Sequence, residues 1–126
     1  MAWQTLLGGI SGAASVGLGA YGAHGLKSPP GSPYRASYES ANRYHMLHSA
    51  LLAACPAVAS AAARGRPGGG KFAANVAGGF LAAGMAAFCG SCYAVGVTED
   101  KAYGKLAPAG GISLMAGWIA LAVLRR

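Results

Sequence analysis

The chain has 126 residues, room for one domain, of which 54% are apolar and only 10% charged, where soluble globular chains carry about a quarter charged residues. Ten Lys and Arg against three Asp and Glu give a net charge of +7. These basic residues sit in short connections and at the C-terminus, not interleaved with aromatic side chains, so nucleic acid is rejected as a partner. The composition instead fits a chain whose partner is the lipid bilayer.

No Lys, Arg, Asp or Glu occurs from Met1 to Leu26, from Tyr44 to Ala63, from Phe72 to Thr98, or from Leu106 to Leu124. A helix needs about 20 apolar residues to cross a hydrocarbon core roughly 30 Å thick. We therefore expect an all-α membrane protein, one domain over residues 1–126, forming a bundle of four transmembrane helices at about 3–25, 44–63, 72–97 and 106–124. The first stretch lacks the basic n-region of a signal peptide and is read as a span. Gly8 and Gly12 make a GxxxG pair in it, and Ser15, Gly19 and Gly22 extend the track. Such small residues let helices approach closely in lipid.

The first connection, "KSPPGSPYRASYESAN", opens with three prolines in five residues, which keeps it extended. Its second half, "PYRASYESANRY", is expected to begin helix just outside the membrane, with Tyr34, Tyr38 and Tyr44 at the interface. Span two then starts "RYHMLHSALL". His45 and His48 are three residues apart and so are expected to share a helix face. His24 closes span one on the same side of the membrane, so His24, Tyr44, His45 and His48 are expected at similar depth as one polar cluster. Neutral imidazoles so placed can ligate a metal or haem iron, or relay protons. The nearest carboxylate is Glu39, a poor supply of supporting groups for a metal. The expectation is therefore no metal and no cofactor: the rings hydrogen-bond across helices one and two, or meet a partner or lipid headgroup. Pro56, inside span two, is expected to kink it.

The connection "RGRPGGGK" reads as a tight turn. With Phe72 it approaches a phosphate-loop pattern, but Phe72 stands where that loop needs a hydroxyl and no strand precedes it. In span three, Cys89 and Cys92 form "CGSC". Hydrocarbon raises a thiol's pKa and no second pair completes a zinc site, so these cysteines, like Cys55, are read as packing residues. Gly79, Ala83, Ala87 and Ser91 lie at helical spacing and are expected to pack the bundle, as are Gly110 and Gly117 in span four. The short "TEDKAYGK" makes spans three and four an antiparallel pair. With only Glu39, Glu99 and Asp100 as acids, no general acid–base set can be assembled, and the chain is not expected to be an enzyme. Orientation stays open. Arg64, Arg66, Lys71, Arg125 and Arg126 lie on the side of the termini and Lys27, Arg35, Arg43, Lys101 and Lys105 opposite, a tie under the positive-inside rule.

Several stretches, taken in order, carry a resemblance: "GAYGAHGL" at 19–26, "YESANRYHMLHSALL" at 38–52, "FCGSCY" at 88–93, "LAPAGG" at 106–111 and "GW" at 117–118. Nearly the whole chain resembles a small four-span family of unknown function, domain of unknown function 423, which includes transmembrane protein 256 of animals and bacterial inner-membrane relatives. Where relatives read F-S-G-S-L-Y, this chain has Cys89 and Cys92, which argues against a family-wide role for the cysteines. The resemblance implies an inner-membrane protein without assigned activity, mitochondrial in a eukaryotic host and otherwise bacterial, with His24, Tyr44, His45 and His48 as its polar signature. The function expected is a non-catalytic accessory subunit of a larger membrane complex, plausibly of the respiratory chain, partnered by its other subunits. The alternatives are a histidine-dependent transporter or proton conductor and, more weakly, a haem- or metal-binding redox subunit.

Overall fold

A computed structural model describes residues 2–64 and 66–124; Arg125 and Arg126, counted above among the terminal-side charges, lie outside them. The elements are α1 (Trp3–His24), α2 (Pro33–Ala62), α3 (Lys71–Gly84), a π-helical turn (Met85–Cys89), α4 (Gly90–Thr98), a 3-10 turn (Lys101–Gly104) and α5 (Ala107–Val123). The π turn joins α3 to α4, so the described residues hold four helical segments long and apolar enough to cross a membrane.

Helix α2 starts at Pro33, so the helix expected in "PYRASYESANRY" and the span expected from about 44 are one continuous element. Ser32 caps it by accepting from the Tyr34 N–H at 3.1 Å, and Pro33 is pre-set for a first helical position. The helix then runs unbroken through Pro56. Proline has no N–H for the Leu52 carbonyl one turn back, and the next carbonyl, Ala53 O, takes the Thr5 hydroxyl at 3.0 Å. At 30 residues α2 is about 45 Å long, longer than a bilayer core. Its N-terminal turns pack on α1 and α4 beyond the uncharged stretch.

All neighbouring spans run antiparallel. Helix α1 lies on α2, α5 lies on α3 and the π turn, and α2 packs along span three, while α1 and α5 make no substantial contact with each other. The bundle is therefore open, with two outer helices flanking an inner pair. Glycine sets the α1–α2 distance: a Cβ on Gly8 would stand 2.5 Å from Ala53 N and 2.7 Å from Ser49 O. Gly19 and Gly22 likewise face Asn42 and Tyr38, so the expected Gly8-to-Gly22 track is the α1–α2 contact. Gly110 and Gly117 do the same for α5, against Phe88 and Leu81.

The expected track on span three does not hold. Gly79 and Ala83 face outward, with nothing within 4 Å of a Cβ built on Gly79, whereas Ser91 is buried. Each step of four residues overshoots a full 3.6-residue turn by about 40°, so the four positions do not stay on one face, and Gly79 and Ala83 fall on the outer one. Gly78 and Gly84 make the close contacts instead, against Gln4 and Leu114.

Candidate functional site

Tyr38 is 1% exposed, not at the interface as expected. Because α2 reaches back to Pro33, Tyr38 falls between Gly22 of α1 and Gly96 of α4, each too close to its ring or Cβ to carry a side chain. Its hydroxyl donates to Leu18 O, and its ring meets Tyr93 edge-on at 4.9 Å. Arg35 closes the same end. Its guanidinium donates to Ser28 O at 2.7 Å, Gly22 O at 3.0 Å and Leu26 O at 3.2 Å. That places a cation on the carbonyl end of α1, the favourable end of its dipole.

His45 and His48 point to different neighbours, although sequence spacing gave them one face. His45 Nε2 lies 2.8 Å from Ser11 Oγ on α1, and Nδ1 lies 3.0 Å from the Tyr93 hydroxyl on α4. Ser11 Oγ is also 2.6 Å from Ser49 Oγ, which donates to Met85 Sδ at 3.9 Å. Asn42 Nδ2 donates to Tyr93 Oη at 3.1 Å and to Ser15 O at 2.8 Å. One donor assignment leaves no proton without an acceptor. Tyr93 donates to His45 Nδ1, His45 Nε2–H donates to Ser11, Ser11 donates to Ser49, and Ser49 donates to Met85. The groups form one line, Asn42–Tyr93–His45–Ser11–Ser49–Met85, tying α1, α2 and span three together inside the membrane.

His48, 2% exposed, turns the other way. Its Nδ1–H donates to Tyr44 O at 2.8 Å, and its Nε2 accepts from Trp118 Nε1–H of α5 at 3.0 Å. Tyr44 stacks on it at 5.7 Å and meets Phe88 edge-on. A lone pair on Nε2 is needed to receive Trp118, which fixes the neutral Nδ1–H tautomer. Tyr44 and His48 thus form a second unit that fastens α5.

The third histidine stands apart. His24 ends α1 and is exposed, thirteen residues from Ser11 and so about 20 Å along the axis from the His45 contact. The expected single cluster is resolved into three locations. The cause is that α2 runs unbroken from Pro33: His45 lies more than three turns into that helix, while His24 is at a true end. Among the described residues no three His, Cys, Asp or Glu side chains come together. Cys55, Cys89 and Cys92 are free thiols, the first two buried.

Next to the His45 line, α1, α2 and span three border a crevice of about 320 Å³, lined by Leu7, Leu18, Ala86 and Gly90 together with His45 and Tyr93. The π turn forms part of its wall. Sequence reasoning found His45 but not Ser11, Tyr93, Ser49 or Trp118 as its and His48's companions. Only their polarity within uncharged stretches marked them.

Four antiparallel spans, fastened to one another by side-chain hydrogen bonds within the bilayer, define a small multi-pass integral membrane protein. A family model described as "Protein of unknown function (DUF423)" matches residues 18–111, and the chain belongs to that family. It is 32% identical over 118 residues to the UPF0382 membrane protein SAB0533 of Staphylococcus aureus, covering 94% of this chain and 90% of that one. Against the UPF0382 membrane protein YwdK of Bacillus subtilis the identity is again 32%, over 94% of this chain and 91% of the relative. A third, the UPF0382 membrane protein SSP2132 of Staphylococcus saprophyticus, is 30% identical over the same share of this chain. These relatives are bacterial, so a bacterial membrane fits this chain. No solved structure gives a significant match.

Proposed function

We infer that this protein is a non-catalytic accessory subunit that docks on a larger complex of the bacterial cytoplasmic membrane. The observation that carries the reading is the outer face of α1. Gly9, Ala13 and Gly17, one α-helical turn apart, all face away from α2, and nothing lies within 4 Å of a Cβ built on either glycine. Each glycine in a helix costs about 1 kcal/mol relative to alanine, and close approach of another helix's backbone offsets that cost. On its inner side α1 has that neighbour in α2; on its outer side a partner's helix would supply it. The histidines fit the same role, because His45 and His48 spend their ring nitrogens holding spans together. A respiratory complex is our nominated host, on the inner-membrane resemblance alone; the bacterial relatives favour a bacterial over a mitochondrial setting.

The test is gentle detergent extraction of native membranes, native separation by size, and mass spectrometry of each fraction. Migration with a defined complex far above 12.4 kDa is the expected result. Migration only as a monomer or small homo-oligomer would sink the reading.

One observation favours a second reading, a proton conductor: the unbroken line from Asn42 to Ser49. Within the described hydrogen bonds it ends at Met85 and at the Ser15 carbonyl, not at an ionisable group near either surface. Proton flux in proteoliposomes that disappears in His45→Phe would favour it over the docking role.

A further inference from the structure

The two ends of the bundle differ in charge in a way the Lys and Arg tie conceals. All three acids, Glu39, Glu99 and Asp100, lie at the end of the α1–α2 and α4–α5 connections, together with five basic residues. Among the described residues the opposite end has Arg64, Arg66 and Lys71 and no acid. A cavity of about 510 Å³ opens at this acid-free end, where the start of α1, the end of α2 and the start of α3 meet. Arg66 and Lys71 line it, with Ser60 and Asn75 adding polar groups and Trp3 and Pro56 an apolar wall. Trp3 is 43% exposed, the half-wet setting of an aromatic residue at headgroup level.

Lys71 is also the first residue of α3, with no acidic residue in that first turn. A cation there opposes the helix dipole, and the described residues hold no counter-charge for it. The cavity at the other end contrasts with this. Its lining brings Glu39 beside Arg35 and Arg43, and Arg35 donates to three carbonyls, whereas Arg66 donates through Nε to Ala63 O at 3.1 Å and Lys71 sits in a lining without an acid.

We propose that the cavity at the α2–α3 turn binds the phosphate headgroup of an anionic phospholipid, with Lys71 and Arg66 as its cationic contacts, Ser60 as a neutral donor, and the glycerol region against Trp3 and Pro56. The ligand is a lipid and not a soluble phosphate because the pocket lies where three span ends reach the headgroup layer. There an anionic lipid is present at high local concentration. This is a different reading of "GRPGGGKF" from a nucleotide loop. Gly70, at φ +90° and packed on the Ala59 carbonyl group, builds the turn, while the neighbouring side chains supply the charge.

The probe is the full chain in nanodiscs of equal phosphatidylglycerol and phosphatidylcholine, released into native mass spectrometry to count lipid adducts. Each basic side chain near an anionic surface is worth roughly five-fold in affinity. Arg66→Gln/Lys71→Gln should therefore lose the phosphatidylglycerol preference by about twenty-five-fold, while Lys101→Gln/Lys105→Gln at the other end keeps it. Equal adducts of both lipids on the unaltered protein would overturn the proposal, as would equal losses in the two variants. Displacement of the lipid by millimolar glycerol phosphate would overturn it in favour of a soluble-anion site. Should the Arg66/Lys71 variant not fold, the unaltered protein decides through amine acylation. Lys71 should be protected relative to Lys101 and Lys105 in phosphatidylglycerol discs and not in phosphatidylcholine discs. Uniform labelling of the three lysines in both would refute the site.

Discussion

Replacing His45 by alanine removes two inter-helical hydrogen bonds at once, to Ser11 at 2.8 Å and to Tyr93 at 3.0 Å. In membrane proteins such bonds average about 0.6 kcal/mol and reach about 1.7 kcal/mol, so the pair is worth about 1–3 kcal/mol. His45→Phe separates this from packing, because it keeps a ring beside Tyr93 and loses both nitrogens; it should account for most of the destabilisation. A double-mutant cycle of His45→Ala with Ser11→Ala isolates one bond. Its coupling energy should fall between about 0.5 and 2 kcal/mol. The assay is reversible unfolding of the purified chain in mixed micelles, by steric trapping or titrated SDS, with helix content confirming the folded baseline. A coupling energy indistinguishable from zero would refute the line of hydrogen bonds as a fastening between α1 and α2. So would a His45→Phe variant as stable as the parent.

Other outcomes follow from the same geometry. Gly8→Leu drives a side chain into the Ala53 and Ser49 backbone and should cost about 1–3 kcal/mol as overpacking. Gly9→Leu, one residue along on the open face, should leave the monomer's stability unchanged or slightly raised in the same unfolding assay. Trp118→Phe strips His48 Nε2 of its donor and should cost about 1 kcal/mol, read additionally as faster proteolysis near the end of α5. Arg35→Ala leaves three carbonyls without their cationic donor; hydrogen bonds to charged groups are worth about 1.5–3 kcal/mol, and limited proteolysis should begin in residues 26–32.

The spans were legible because charge is absent from them, and bilayer thickness turns that absence into length. That criterion alone does not see the first turns of α2, since Arg35, Glu39 and Arg43 fall on them; the helix expected in "PYRASYESANRY" did. The Ser32–Pro33 pair was the better signal, a cap and a pre-set first turn. Its consequence, a buried Tyr38, needs knowledge of which residues lie across from it, and Gly22 and Gly96 come from two other spans. The π turn leaves no local trace in "MAAFC", and four-residue spacing hides a drift of about 40° per step, by which Gly79 and Ala83 face outward while Ser91 is buried. The histidine pair shows the limit of spacing arguments. Three residues apart places two rings within about 60° of each other, close enough to share a face, but wide enough for Ser11 to claim one and Trp118 the other.

The docking role rests on the outer face of α1, and that face can be interrogated where the protein works. A photo-crosslinking residue at Ala13, between Gly9 and Gly17, would be activated in intact membranes and its products separated by mass. Docking through this face gives one discrete crosslink to another membrane protein, lost when Gly9 and Gly17 are changed to leucine although the monomer still folds. Crosslinks to lipid alone, or a protein crosslink indifferent to those leucines, would contradict it.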